Sequence, residues 1–500
     1  MKVAVLGAGP VGQTAALLLA RWGVPVVLLD EHAVRDPVGS KAICQQRDTL
    51  DVWASLGGRS IVDEGLTWTT ARTFHRDAEL FSYRLPGAGS ALPPFVNISQ
   101  ARVEEVLDEL IAAQPLIDVR RAHRVTGLTQ DSGVSVECET PDGVRRIEAD
   151  YAVACLGARG DVVRRALGVK LDGRSFEDLF LICDIRAELA GWAAERRFYF
   201  DPPWNPGRQV LIHPCPGSQY RIDWQVPDDY EESAGALDAR IRAIIGEQHY
   251  EVVWKSVYRF HTRLADRMRV GRVLLAGDCA HLYAPFGARG LNSGVADAEN
   301  AAWKLAMVAR GTAGEGLLES YHAERHAAAV ENAEVTSATM DFLVPQDEPH
   351  RRHRLDVLAR AAHDPAAHAE VDSGRLAEPF WYAASPLTTP DPARPCAGRP
   401  PRGTVPPPGP GVLLPDVTVA AGRLRDLARQ GFLLLTTPGT PVSGSTPVVE
   451  VPEGDVRPGE VWVVRPDAYM AAVARSADEL TRALDRAAGG WSLGRSAQDR

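Results

Sequence analysis

Asp278 stands at the end of an apolar run, Val273 to Ala276, and is followed by Pro285, Gly287 and Gly290 before a helical pattern that starts at about Asn292. An acid at the C-terminal end of a buried strand can accept hydrogen bonds from sugar hydroxyls. Unpaired N–H groups near Leu291 and Asn292, at the positive end of the helix, face negative charge. The stretch from Gly271 to Ala306 therefore suits a ligand carrying both, although by itself it also describes an ordinary strand, loop and helix.

A second constellation lies at the start of the chain. Lys2 to Leu6 reads as a buried strand, Gly7-Ala8-Gly9-Pro10-Val11-Gly12 opens a helix that reaches Trp22 and is capped by Gly23, and Pro25 to Leu29 is a second strand ending in Asp30. Gly7 makes the tight turn, Gly9 lets backbone approach a pyrophosphate, Gly12 allows helix and strand to pack, and Asp30 is placed for the adenosine ribose. Strand, helix and acid together predict a dinucleotide site. The acid does not choose NAD over FAD, but a 2′-phosphate would clash with it, so NADPH is not the tenant of this site.

Gly271-Arg-Val-Leu-Leu-Ala-Gly-Asp-Cys-Ala-His281, followed by P-x-G-x-x-G-L-N-x-G-x-x-D-A-x-N-x-x-W-K-L-A from Pro285, resembles the GD segment of the single-component FAD-dependent aromatic hydroxylases, the class A flavoprotein monooxygenases. The resemblance runs through essentially the whole chain and is weakest in the middle.

It implies a non-covalently bound FAD, NADPH or NADH as a transient co-substrate, and O₂ captured as a flavin C4a-hydroperoxide that hydroxylates a phenolic or other electron-rich aromatic. Gly7, Gly9, Pro10, Val11, Gly12, Asp30, Gly277, Asp278, Gly290, Leu291 and Asn292 are the expected cofactor contacts. Pro285 faces the ring system and shapes the oxygen pocket. Gln100 matches a flavin-contacting glutamine. Lys41 stands where the family has an arginine against the pyrophosphate, so the charge is kept and the bidentate fork is lost. Arg47 is the other cation in reach, with an exposed helix charge as its alternative. The family's D-G-A-x-S motif is replaced by Leu156-Gly157-Ala158-Arg159-Gly160, and leucine cannot accept a hydrogen bond, so nicotinamide-dependent reduction is where this chain departs most.

The elements that must position these groups follow from the pattern. Gly39 to Leu50 leads into a helix to about Leu56. Gly65 to Leu92 suggests solvent-facing hairpins or a loop bordering a cavity, and Ser99 N-caps a helix from Ala101 to Ala112. Val119 to Val125, Val134 to Thr140 and Arg146 to Ala149 read as antiparallel strands. Phe198 to Phe200, Gln209 to His213 and Tyr220 to Val226 form a meander, which in the family roofs the substrate cavity. His213, Asp223 and Tyr258, with Pro285, are the catalytic candidates, and Arg221 and Trp224 the substrate-contacting ones. For each of the meander residues a structural role is the plainer alternative.

Five hundred residues, 45% hydrophobic and 24% charged, describe a globular chain of two or three domains. A net charge of −10 disfavours nucleic acid and anionic membrane. The seven cysteines form no CxxC pair, which predicts reduced thiols, no metal site and a cytoplasmic location. The expected fold class is α/β and α+β. Residues 1–175 and 263–345 make a Rossmann-like FAD-binding domain, 176–262 an antiparallel substrate-binding sheet, 346–400 a helical linker, and 401–500 a thioredoxin-like domain without a redox pair. That last part carries no recognisable cofactor residue and reads as dispensable for flavin chemistry. The expected partner is a small aromatic substrate, with a homodimer left open. Two alternatives remain: a tailoring oxygenase of a polycyclic aromatic polyketide, by hydroxylation or Baeyer-Villiger insertion, or a flavin-binding protein with little turnover.

Overall fold

The computed structural model describes residues 1–35, 41–85, 90–231, 233–396 and 406–490. The expectations at Gly39 and Ser40, and the domain boundary expected at residues 400–401, lie outside them.

The nucleotide end is a six-stranded sheet in the order Arg269–Val270, Val273–Leu275, Tyr151–Ala154, Val3–Leu6, Val26–Leu29, Ile117–Arg120. All neighbours are parallel except the first pair. Val3–Leu6, Val26–Leu29 and Tyr151–Ala154 are buried at every position, which is why their sequences are unbroken apolar runs and not alternating ones. Helix Pro10–Arg21 begins with proline in its first turn, where the missing N–H costs nothing. It packs against helix Arg289–Ala309 closely enough that a Cβ on Gly294 would lie 2.5 Å from Val11 Cγ2.

An eight-stranded sheet stands against this unit, in the order His281–Leu282, Tyr250–Ala265, Leu171–Ala187, Gln219–Val226, Gln209–Cys215, Glu195–Phe200, Thr70–His75, Ala78–Arg84. The expected meander is its centre. One face buries Leu181, Val210, Ile212, Ile222 and Trp224 against helix Ala234–Ile245. The other turns toward the nucleotide unit, with Phe180, Phe260 and Phe286 in mutual ring contact. The stretch Gly65 to Leu92 contributes the last hairpin of this sheet, with Thr70–His75 running parallel to Glu195–Phe200.

The run Val119 to Val125 is not one strand. Ile117–Arg120 pairs with Val26–Leu29 in the parallel sheet, the chain turns through Ala122 at φ 54°, and Arg124–Gln130 starts a separate three-stranded antiparallel sheet with Val134–Thr140 and Gly143–Ala149. Ser99 does cap helix Gln100–Ala112, accepting from the N–H of Ala101.

Helix Gly316–Leu343 leads to helix Glu348–Ala361 and a 3₁₀ stretch Pro365–Glu370. At the C-terminal end a four-stranded sheet has the order Val448–Glu450, Leu433–Thr436, Val461–Val464, Met470–Ala474, with the first pair parallel and the others antiparallel. This part, expected to be dispensable for flavin chemistry, is tied to the rest of the chain by buried pairs. Arg465 binds Glu324 with both side chains fully enclosed, Trp303 Nε1 donates to Asp467 at 3.1 Å, and Arg429 bridges Asp51 at 2.8 Å and Glu299 at 2.7 Å. Among the described residues no helix is long and apolar enough to cross a membrane, and no cluster of ligating side chains could hold a metal.

Candidate active site

One continuous cavity of about 1840 Å³ runs from the glycine turn to the eight-stranded sheet. Small-ligand pockets usually span ~300–1,000 Å³, so this one has room for a dinucleotide and a second molecule.

At the first end, the turn after Val3–Leu6 works as its sequence demands. Gly7 sits at φ +102°, and a Cβ there would lie 2.4 Å from the carbonyl oxygen of Cys155. A Cβ on Gly12 would lie 1.9 Å from the Gly7 carbonyl oxygen. Gly12 is therefore a packing residue and, unlike Gly7, Gly9, Pro10 and Val11, does not line the cavity. A Cβ on Gly9 meets nothing within 4 Å, so the backbone there is open to a bulky anion at the start of helix Pro10–Arg21. Asp30 accepts from the N–H of His32 at 2.9 Å and from Arg121 Nη1 at 3.0 Å. Arg35 bridges Glu104 and Asp108 and donates to the Ala8 carbonyl at 3.0 Å, fixing the glycine turn from the cavity wall. Neither arginine could be singled out from sequence, because each works through partners tens of residues away.

In the middle, Gln100 accepts from the N–H of Ala42 at 3.1 Å and donates to Glu104 at 2.8 Å, while Lys41 and Arg47 border the same space. Arg47 is held by the carbonyls of Leu92 and Pro93, and burial lowers its guanidinium pKa. Asp278 follows Val273–Leu275 and opens into the cavity; no described residue donates to its carboxylate. Desolvation by the cavity walls pushes the carboxyl up, with His281 and Lys41 opposing. Behind it Asp297, wholly buried, accepts from the Gly277 N–H at 3.0 Å, His281 Nε2 at 2.7 Å and Arg325 Nε at 2.7 Å. Burial alone would raise Asp297, but His281 and Arg325 outweigh it and hold the carboxyl below its usual range. This clamp sets the elbow that presents Asp278, and its only trace in the sequence is the D-A-x-N of the segment quoted above.

The loop Pro285–Ala288 closes with the Ala288 N–H on the Pro285 carbonyl. Gly287, at φ +89°, has no room for a side chain: a Cβ would lie 2.1 Å from the carbonyl oxygen of Arg375. Helix Arg289–Ala309 starts here, and Gly290, Leu291 and Asn292 line the cavity. The Asn292 side chain, expected to meet the cofactor, is committed to protein: it accepts from the Gln46 N–H at 2.9 Å and donates to the carbonyls of Cys44 and Ala288. That side chain is therefore not available to a ligand.

The far wall is the eight-stranded sheet. Leu211 pairs with Asp223, and His213 with Arg221, so these four share one face and all reach the cavity; Tyr258 joins them from Tyr250–Ala265. Trp224 does not. It follows Asp223 directly on the strand, points to the opposite face, and is fully buried among Val210, Ile212 and Ile222. Burial and the neighbouring Arg196 and Arg221 push His213 well below the ordinary imidazole range. Burial pushes Asp223 up to about 7, against the pull of Arg221. Arg221 itself is spent on Asp184 at 2.9 Å and on the Lys41 carbonyl at 2.8 Å. Arg196, Trp68 and Phe286, not foreseen from the sequence, also line the cavity, as do Leu413 and Asp416 from the C-terminal part.

A glycine turn open for a pyrophosphate, an acid for a ribose, a second acid with no donor among the described residues and a helix start nearby are what a flavin dinucleotide needs. The family described as "FAD binding domain" matches residues 1–336, and the chain belongs to it. The 3-(3-hydroxy-phenyl)propionate/3-hydroxycinnamic acid hydroxylase of Paraburkholderia xenovorans (strain LB400) is 32% identical over 358 residues, covering 69% of this chain and 56% of the relative. The protein of the same description from Mycolicibacterium smegmatis is 30% identical, covering 65% and 58%. The chain thus spans a little over half the length of these relatives. Among solved structures, the flavin-dependent monooxygenase PieE, in complex with FAD and substrate, shares the fold with a TM-score of 0.84 at 23% identity over 98% of this chain and 99% of that one. The p-nitrophenol 4-monooxygenase PnpA from Pseudomonas putida DLL-E4 gives 0.64 at 25% identity over 74% and 95%.

Proposed function

We propose that the chain is an FAD-dependent monooxygenase that consumes NAD(P)H and O₂ and hydroxylates a phenolic or other electron-rich aromatic ring. The observation that carries this reading is the continuity of one cavity from the dinucleotide turn at Gly9, past Asp278, to the sheet face holding Leu211, His213, Asp223 and Tyr258. The two relatives named as hydroxylases of hydroxyphenyl substrates support it.

Bound FAD would relay the two electrons of NAD(P)H and activate O₂. The chain's own residues bind, orient and exclude water. Gly9 and the start of helix Pro10–Arg21 receive the pyrophosphate, Asp30 the adenosine ribose and Asp278 the remaining hydroxyls. The N-terminus of helix Arg289–Ala309 stabilises negative charge on the ring system. Pro285, Phe286 and Leu211 keep the reacting face dry. Asp223, His213 and Tyr258 hold the polar substituents of the substrate, and a carboxyl near 7 can take or return a proton at working pH.

Around this core we read residues 1–175 with 263–345 as the flavin unit, 176–262 as the substrate sheet, 346–400 as a connecting segment and 401–500 as a thioredoxin-like domain. The mixed order and sense of the C-terminal sheet support the last assignment, and cysteines that form no disulfide among the described residues support a reducing compartment, the cytoplasm. A second reading, a tailoring oxygenase acting on a polycyclic aromatic, is favoured by the size of the cavity and by the fold shared over 98% of the chain with the rebeccamycin biosynthetic enzyme RebC, TM-score 0.76.

The test is NADPH oxidation by the purified yellow protein with single-ring and polycyclic phenols, read together with product mass. A product heavier by one oxygen, with the rings intact, supports hydroxylation; ring expansion selects the alternative oxygenation. NADPH oxidation that no aromatic stimulates, with no oxygenated product, would sink both.

A further inference from the structure

The charges around the substrate end of the cavity are unevenly committed. Arg221, 4% exposed, gives Nε and Nη2 to the two oxygens of Asp184, at 2.9 and 3.4 Å, and Nη1 to the Lys41 carbonyl at 2.8 Å. Arg196, 7% exposed, gives Nη2 to the Ser373 carbonyl at 2.7 Å and Nη1 to its hydroxyl at 3.4 Å. Lys41 lies toward Asp278 and the flavin end, and Arg47 is tied to the carbonyls of Leu92 and Pro93. By contrast, no described residue hydrogen-bonds to the side chains of His213, Asp223 or Tyr258, and both Nδ1 of His213 and Oδ1 of Asp223 are buried without a partner.

We propose that this chamber selects uncharged, oxygen-bearing aromatic rings over aromatic carboxylates, because the cations of its sheet face are already committed to protein acceptors while His213, Asp223 and Tyr258 are left for the ligand. This rests on the reading of the chamber as the place where an aromatic ring is bound. A ligand carboxylate brought here would have to be desolvated with no cation released to meet it, or would have to break the enclosed Arg221–Asp184 pair. A hydroxyl or carbonyl oxygen has neither cost, since it exchanges hydrogen bonds with groups that lack them. The protonation of the site points the same way: burial keeps His213 uncharged and raises Asp223 toward neutrality, so the free polar groups can both donate and accept. The inference departs from the hydroxyphenylpropionate acids for which the curated relatives are named.

The experiment uses the FAD-loaded full chain at neutral pH and two matched pairs of probes: 3-(3-hydroxyphenyl)propionate and its methyl ester, and 3-hydroxy-2-naphthoate and its methyl ester. Binding is read from the perturbation of the flavin absorption spectrum. The ester of at least one pair is expected to bind about tenfold or more tighter than its acid, and Asp184→Asn, which frees Arg221, should tighten the acid by about tenfold while changing the ester little. Equal or tighter binding of the acids by the wild type overturns the proposal, and so does a spectrum that none of the four probes perturbs. An Asp184→Asn protein that loses flavin leaves the wild-type comparison decisive. Failure of the monooxygenase reading shows differently, as flavin that NADPH reduces without oxygen entering any ring, whatever the binding order.

Discussion

Arg465, just after the strand Val461–Val464, and Glu324, in helix Gly316–Leu343, meet with both side chains fully enclosed, Nη2 lying 3.0 Å from Oε2. Lys304 Nζ, at 2.7 Å, and Asn300 Nδ2, at 2.8 Å, share the same carboxylate. Removing one member of such a pair strands a buried charge, at a cost of ~3–5 kcal/mol. Arg465→Met is therefore expected to lower the melting temperature sharply. A chain ending at residue 396 is expected to yield little folded, flavin-loaded protein. Soluble yellow protein with the full-length melting temperature would count against this coupling.

Gly9 and Gly12 separate binding from folding. Gly12→Ala places a methyl 1.9 Å from the Gly7 carbonyl oxygen and is expected to destabilise even the flavin-free protein. Gly9→Ala places it in open cavity, so the apoprotein should melt as the wild type does while FAD binds more weakly. Melting curves without flavin and fluorescence titrations with it distinguish the two; equal effects of both substitutions would contradict the geometry.

Asp278→Ala removes the carboxylate that no described residue satisfies. Its loss of charge-assisted hydrogen bonds should weaken FAD by ~1.5–3 kcal/mol without lowering the stability of the apoprotein, because no described residue hydrogen-bonds to that carboxylate. Unchanged FAD affinity in a titration would remove Asp278 from the flavin contacts.

Asp223 gives a pH dependence of defined sign. Its folded pKa, about 7, lies above the ordinary carboxyl value. The folded state therefore holds a proton that the unfolded chain has released, and stability falls as pH rises from about 4 toward 7. Asp223→Asn removes that loss, so its melting temperature should gain on the wild type between pH 5 and pH 8. A constant difference across that range is the adverse result.

Leu156 borders the cavity beside Gly157 and Ala158 and packs partly buried on the nucleotide core. With no carboxylate there, FAD should stay bound while reduction by NADPH is slow, since a misplacement of ~1 Å can cost ~100-fold. Stopped-flow reduction should speed up in Leu156→Asp, with the melting temperature measured on the same variant because an unpaired carboxylate can destabilise the fold. Wild-type reduction that is fast already, and unchanged in a well-folded variant, would show that this position does not control the step.

The cofactor end was legible because its determinants are local. Gly7, Gly9 and Gly12 constrain one another within a single turn, and Asp30 and Asp278 each close a buried strand. The substrate end was legible only in part. Asp223 and Trp224 are neighbours on an extended strand and cannot face the same chamber; the alternation says that only one enters, but not which. The run from Val119 to Val125 failed for a different reason, since apolar pattern does not record that Ala122 turns the chain from one sheet into another. The clamps Asp30–Arg121, Asp51–Arg429 and Glu324–Arg465 join residues far apart in the chain, and no pattern of spacing announces them.

The central sheet interleaves Val3–Leu6 with Tyr151–Ala154 and then Val273–Leu275. During synthesis the third of these leaves the ribosome roughly 6–24 s after the second, at ~5–20 residues per second. Until then the apolar edge of Tyr151–Ala154 has no neighbour, and Asp278 does not yet exist as part of a site. Flavin loading is therefore a late event in the life of the nascent chain, and the exposed edge is the surface on which a chaperone would first find it.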